Sequence, residues 1–182
     1  MTSETSDAAW AHTPLLHLRE PLHALREMRR VLRPGGVVGI CDDDHGARLF
    51  VPANPLLDRM WALWSRVVQQ NGGDPFRARH HRRLLLDAGF ERAEASATVT
   101  AGGHWGTAEG TRFVATAIVN YLEEPAFVEV ALGQGWVDRP TLAAMADAVR
   151  AWGERPDAFL AFLACAAVAW VPGSVTAGHG EG

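Results

Sequence analysis

Three consecutive aspartates, Asp42, Asp43 and Asp44, follow the apolar run Val37 to Cys41 and form the densest set of reactive groups in the chain. Neighbouring carboxylates raise one another's pKa, so such a triplet can hold a substrate hydroxyl or act as a general base. The alternative is a solvated loop, because buried charges need partners. Upstream lies His17, an imidazole of the type that exchanges protons near neutrality. It can act as an acid or base beside a ligand, or simply fix its loop through hydrogen bonds. Downstream, Phe50, Trp61 and Trp64 can line an apolar pocket, although aromatic residues at helical spacing also make an ordinary core stripe.

Other chemistries find little support. His80 and His81 are adjacent on a helical segment and cannot both face one metal ion, and neither has a Cys or His at ligand spacing, so no metal site is expected. Ala101 to Gly106 follows a strand and precedes a helix, but its glycines lack the Gly-x-Gly-x-x-Gly spacing and it reads as a plain loop. Gly-x-Ser-x-Gly, His-Glu-x-x-His and P-loop patterns are missing. All 17 basic residues are arginines, which removes lysine Schiff-base chemistry.

The elements that must position these groups follow from periodicity and turn signals. Leu22, Leu25, Val31 and Leu32 mark one face of a helix that starts at Pro21 and carries Arg26, Arg29, Arg30 and Arg33 toward its end. Pro34, Gly35 and Gly36 stop it near Leu32, and either glycine can supply a positive φ. Val37 to Cys41 has no polar alternation and reads as a strand buried on both faces, ended by the aspartates. In open α/β sheets, ligands lie beyond the carboxyl ends of strands, which makes the triplet a site candidate on position alone. His45 to Pro55 is expected to be a loop, Pro55 to Gln70 a helix, and Asn71-Gly72-Gly73-Asp74-Pro75 its break. Further helices are expected over 77–88, 107–122, 125–133 and 141–152, and a strand over 93–100. Periodicity alone does not decide between helix and strand for Ala158 to Val171.

Length and composition bound the rest. The chain has 182 residues, enough for one domain over 1–172 with a substantial core, followed by a Gly-rich tail over 173–182 expected to be disordered. A net charge of −4 argues against a dedicated nucleic-acid binder. Cys41 and Cys165 each lie in an apolar run and read as reduced core thiols. The start shows no secretory signal, and the longest apolar run is too short to span a bilayer, so a cytoplasmic protein is expected.

His17-Leu18, Leu25-Arg26-Glu27, Arg30-Val31-Leu32 and Pro34-Gly35-Gly36, with the later Gly72-Gly73-Asp74-Pro75 and Leu84-Leu85-Leu86-Asp87-Ala88-Gly89-Phe90, resemble the second half of class I S-adenosylmethionine-dependent methyltransferases of the ubiquinone/menaquinone-biosynthesis type. The resemblance implies an α/β fold: a partial Rossmann-like sheet holding the family's fifth, sixth and seventh strands, flanked by helices. The earlier strands, with their glycine-rich cofactor loop, would precede Met1. The family's fourth strand would fall within Ala8 to Leu18, where the apolar run is too short for a well-buried central strand, and the later part of Ala158 to Val171 would be a strand. The implied cofactor is S-adenosylmethionine, with His12 and His17 beside it, and the implied partner is a small, apolar methyl acceptor. His17, Asp42 and Asp44 would be catalytic, and Asp43, Phe50, Trp61 and Trp64 would contact the acceptor. The alternative is a non-catalytic remnant of that fold, a binding or dimerisation module whose open sheet edge a homodimer would cover.

Overall fold

The protein is described by a computed structural model over residues 6–100 and 106–173. Gly102, Gly103 and His104 of the expected loop, and residues 174–182 of the expected tail, lie outside the described residues. β1 (Ser6–His12) pairs in parallel with β2 (Leu32–Val51), and α1 (Pro21–Val31) makes the crossover that parallel strands require. α1 ends where the sequence places its stop, with Leu32 extended at its C-cap.

The two glycines after it meet different demands. Gly35 takes φ +77° and its N–H donates to the Val171 carbonyl at 3.1 Å. Gly36 is not in the left-handed region. A Cβ there would lie 2.8 Å from the Arg33 carbonyl oxygen and 3.2 Å from that of Asp7, so close backbone approach demands the glycine.

β2 departs most from expectation. It does not end at the aspartates, and the segment expected as a loop from His45 belongs largely to it. The reason is its neighbour: β4 (Phe159–Trp170) lies antiparallel along it from Val37↔Trp170 to Val51↔Phe159, with a register shift between Asp44 and Arg48. An antiparallel partner satisfies backbone groups on both sides of that shift, so extension continues past the charged residues. β4 is therefore a strand throughout, not only in its later part. β3 (Glu91–Thr100) pairs antiparallel with its other side, giving a four-stranded sheet in the order β1-β2-β4-β3. The segment assigned to the family's fourth strand thus joins the expected three, and its short apolar run suits the edge position it occupies.

One core lies between the sheet and the pair α1 and α3 (His81–Asp87), where Leu25, Val38, Ile40 and Leu85 are fully buried. The helix expected over 77–88 is divided: Arg77–His80 forms a 3-10 turn before α3. A second core joins α2 (Pro55–Gln70), α4 (Ala108–Glu123), α5 (Pro125–Gly133) and α6 (Arg139–Gly153) to Leu160 and Phe162 of β4. Side-chain caps start three of these helices: Asn54 accepts from the Leu56 N–H at 2.9 Å, Thr107 from Gly110 at 3.1 Å and Asp138 from Thr141 at 2.8 Å.

Candidate active site

Side chains alternate across a strand, so three consecutive aspartates in β2 cannot act as one cluster. Asp42 and Asp44 are each 1% exposed on the face covered by α1 and α3, whereas Asp43 is half-buried in the alternate register. The solvated-loop alternative therefore fails for Asp42 and Asp44. Asp42 Oδ2 lies 2.9 Å from His81 Nε2. Asp42 Oδ1 and His81 Nδ1 are buried without a hydrogen-bond partner among the described residues. Asp44 accepts two hydrogen bonds from Arg79, at 2.6 and 2.7 Å, and one from the Gly46 N–H at 2.9 Å. Burial alone would raise the Asp44 pKa, but the Arg79 and Gly46 hydrogen bonds prevail and hold it below the usual carboxylate range. Asp43 moves the other way: burial raises it, opposed by His12 and reinforced by Asp42.

His17 sits on a short 3-10 turn, Leu15–His17, just beyond the carboxyl end of β1. The Gly-Gly-Asp-Pro turn holds that segment. The Asp74 N–H donates to the Leu16 carbonyl at 2.8 Å, and Arg77 donates to the carbonyls of Leu15, at 2.7 Å, and Leu18. The same turn reaches His45, whose N–H donates to the Pro75 carbonyl at 3.1 Å. His17 is exposed overall, yet partial desolvation lowers its pKa, with Asp42 opposing the shift.

His45, which the sequence placed in a loop and left without a role, is the group that sequence reasoning missed. It follows the aspartates within β2, past the last parallel pair His12↔Cys41, and faces the second core, with its ring 4.1 Å from that of Trp64 and 5.0 Å from that of Phe162. Burial first, then Arg48 and His17, push its pKa down to about 4, with Asp44 opposing. Beside it is a cavity of about 210 Å³, lined by His45, Trp61, Trp64, Ile118, Tyr121 and Phe162 among others. Trp61 and Trp64 both line it and both belong to the second core. Phe50 does not join them: its ring stacks on Trp152 at 4.6 Å, and it is not among the lining residues. Phe162 and Tyr121 reach the cavity from elements distant in sequence, and only strand pairing and helix packing bring them there. Among the described residues, no group of three or more His, Cys, Asp or Glu could hold a metal ion.

A family profile described as a methyltransferase domain matches residues 1–40, the stretch that carries His17-Leu18 and Pro34-Gly35-Gly36. A probable methyltransferase of Aspergillus luteorubrus, ltbC, is 30% identical over 166 residues, covering 82% of this chain and 53% of that protein. The chain thus spans about half the length of this curated relative. Among solved structures, a putative methyltransferase from Bacillus halodurans aligns with TM-score 0.46 at 14% identity, over 94% of this chain and 72% of that one. Phosphoethanolamine N-methyltransferase 2 of Haemonchus contortus, solved with S-adenosylhomocysteine, aligns with TM-score 0.44 at 11% identity, over 93% of this chain and 34% of that one. In the profile match over residues 1–40, in the curated relative and in the residue pattern from His17 to Gly36, the chain is similar to the class I S-adenosylmethionine-dependent methyltransferases.

Proposed function

We propose that this chain takes part in methyl transfer from S-adenosylmethionine to a small, apolar acceptor. The observation that carries the reading is the aromatic cavity beside His45, past the carboxyl end of β1 and the last parallel pair, His12↔Cys41, on the side of a parallel pairing where ligands of α/β sheets sit. Bound S-adenosylmethionine supplies an electrophilic methyl group on a sulfonium centre. The residues present suit one wall of its site. Arg79 compensates Asp44 and His81 occupies Asp42, which leaves Asp43, coupled to His12, as the carboxylate able to face a cation. His12, His17 and Asp43 would hold the cofactor at this end of the sheet.

The roles then divide. Trp61 and Trp64 enclose the acceptor and exclude water, and orientation supplies most of the rate that such a transfer needs. His17, with its pKa below the ordinary value, is neutral near pH 7 and can take a proton from an acceptor hydroxyl. Asp42 fixes β2 against α3 through His81, and Asp44 fixes it against the preceding 3-10 turn through Arg79, so both position the residues that follow. Isothermal titration of S-adenosylmethionine into the 182-residue chain tests the reading. Binding near micromolar, about −8 kcal/mol, is expected, and no heat at millimolar cofactor would refute it.

One observation favours a second reading, a binding or dimerising module. The outer edge of β1 has no strand partner among the described residues, and Trp10 on that strand is 63% exposed.

A further inference from the structure

β3 forms one edge of the sheet, and its outer side has no strand partner among the described residues. Natural edges are usually blocked by proline, lysine, an inward charge or a bulge, because an open edge invites another strand. Here the irregularity comes early: Arg92 takes φ +51°, and the register on β4 shifts between Glu91 and Glu94. Beyond it the pairing runs without a break from Glu94↔Val168 to Thr100↔Phe162. Glu94 to Val99 are all exposed, and from Ala95 onward they carry no charge and no proline. Whatever covers the opposite edge at β1 leaves this one untouched, since β2 and β4 lie between them.

The two faces of the strand differ. Residues opposed on neighbouring strands point to the same side. Ala95↔Ala167, Ala97↔Cys165 and Val99↔Leu163 therefore put Ala95, Ala97 and Val99 on the face that α1 and α3 cover, whereas Ser96 and Thr98 lie on the other. α3 reaches only the start of β3: Ala93 is buried, and Arg82 Nε donates to its carbonyl at 2.9 Å. Leu86, one turn after Arg82 on α3, is 41% exposed. Past α3 this face stays open and apolar, with Leu49 57% and Val99 59% exposed beside a groove of about 290 Å³ that Ala161 and Leu163 also line.

We infer that the outer edge of β3 is a dimer contact, where a second copy of this chain pairs antiparallel with it about a two-fold axis at Ala97 and joins the two sheets into one. The strand is self-complementary about that axis. Ala95 of one copy opposes Val99 of the other, Ala97 opposes itself and Ser96 opposes Thr98, so apolar meets apolar and polar meets polar. This axis uses the whole regular stretch from Glu94 to Thr100, and any other shortens the pairing. The two Glu94 carboxylates stand at opposite ends of the contact and do not repel. Because the strands run in opposite directions, α3 of one copy lies toward the open groove of the other, and the exposed Leu86 and Val99 approach each other. The contact does not depend on methyl transfer.

The test combines sedimentation of the 182-residue chain over a concentration series with amide exchange at each concentration. A dimer is expected whose β3 amides slow as its fraction rises. Ala97→Lys sets two ammonium groups against each other on the axis and is expected to weaken association by about tenfold or more. Opposed Cα atoms of antiparallel strands lie about 4.5–5.5 Å apart, within disulfide reach. Ala97→Cys under oxidised glutathione is therefore expected to give a covalent dimer, and Glu94→Cys, equally exposed but distant from its own copy, is expected to give none. This pair decides the matter should Ala97→Lys fail to fold. A monomer at every concentration would overturn the inference, as would a dimer whose slowed amides lie in β1 alone. Protection of β3 that ignores concentration would mean that a segment of the same chain fills the edge, and equal cross-linking at both positions would mean random collision. Either result would overturn the second copy as the occupant.

Discussion

Asp42 and His81 show how little the type of a residue says before its neighbours are known. Each side chain is almost wholly buried, so each depends on the other. Replacing His81 by Leu leaves a carboxylate in the core without its partner, and a loss of roughly 3 kcal/mol in urea unfolding is expected. The double replacement Asp42→Leu with His81→Leu should regain most of it, because an apolar pair needs no compensation. A double variant no more stable than His81→Leu alone would contradict this account. His45 gives a pH signature. Its ordinary pKa of 6.5 falls to about 4 in the folded chain, so below pH 6.5 the unfolded chain binds a proton that the folded chain refuses. Stability therefore falls as pH drops from about 6.5 to about 4, by roughly 2–3 kcal/mol from this group. His45→Phe removes that contribution. Its melting temperature should decline less than that of the unsubstituted chain across this window, and parallel declines would contradict the assignment.

At the scale of elements, the Gly-Gly-Asp-Pro turn ties distant parts of the site together. Through Asp74 it bonds the Leu16 carbonyl, and through Pro75 the His45 N–H. Gly73 allows this approach: a Cβ there would stand 2.6 Å from the Leu16 carbonyl oxygen and 2.8 Å from a Val68 methyl. Gly73→Ala is therefore expected to cost roughly 1–3 kcal/mol and to perturb the NMR signals of both His17 and His45, although neither is near it in sequence. A change confined to one histidine would show that the turn does not couple them. The helix stop offers a similar contrast. Gly35→Ala meets open space and opposes only a positive φ, at a cost of about 1 kcal/mol, whereas Gly36→Ala drives a methyl into two carbonyl oxygens and should cost more. The reverse order in thermal unfolding would contradict the close-approach account of Gly36.

For the whole molecule, the sheet is well covered on one face and sparsely on part of the other. α1 and α3 seal the first. On the second, Trp10 is 63% exposed, and Val37, Val168 and Trp170 are only half-buried. Proteins usually cover such a surface and the strand edge beside it. If the second reading holds, sedimentation should show a concentration-dependent dimer in which the amides of β1 exchange slowly with solvent. A strict monomer with fast-exchanging β1 amides would exclude it.

The sequence alone determined whatever depends on nearby residues. The α1 stop at Leu32 follows from Pro34 and the two glycines, the α2 limits from Pro55 and Asn71-Gly72-Gly73, and the methyltransferase pattern of His17 to Gly36 from adjacent motifs. It also put Trp61 and Trp64 on one face of a helix, since helical spacing is local, and left pocket and core both open for them. Only the tertiary structure decided where β2 ends, because its extension past Asp44 depends on a partner strand more than a hundred residues later. The same long-range pairing split the aspartates between faces, brought Phe162 to the cavity and turned His45 from an expected loop residue into part of a wall. Hydrogen bonds between strands are indifferent to sequence separation, so no window of neighbouring residues could reveal them.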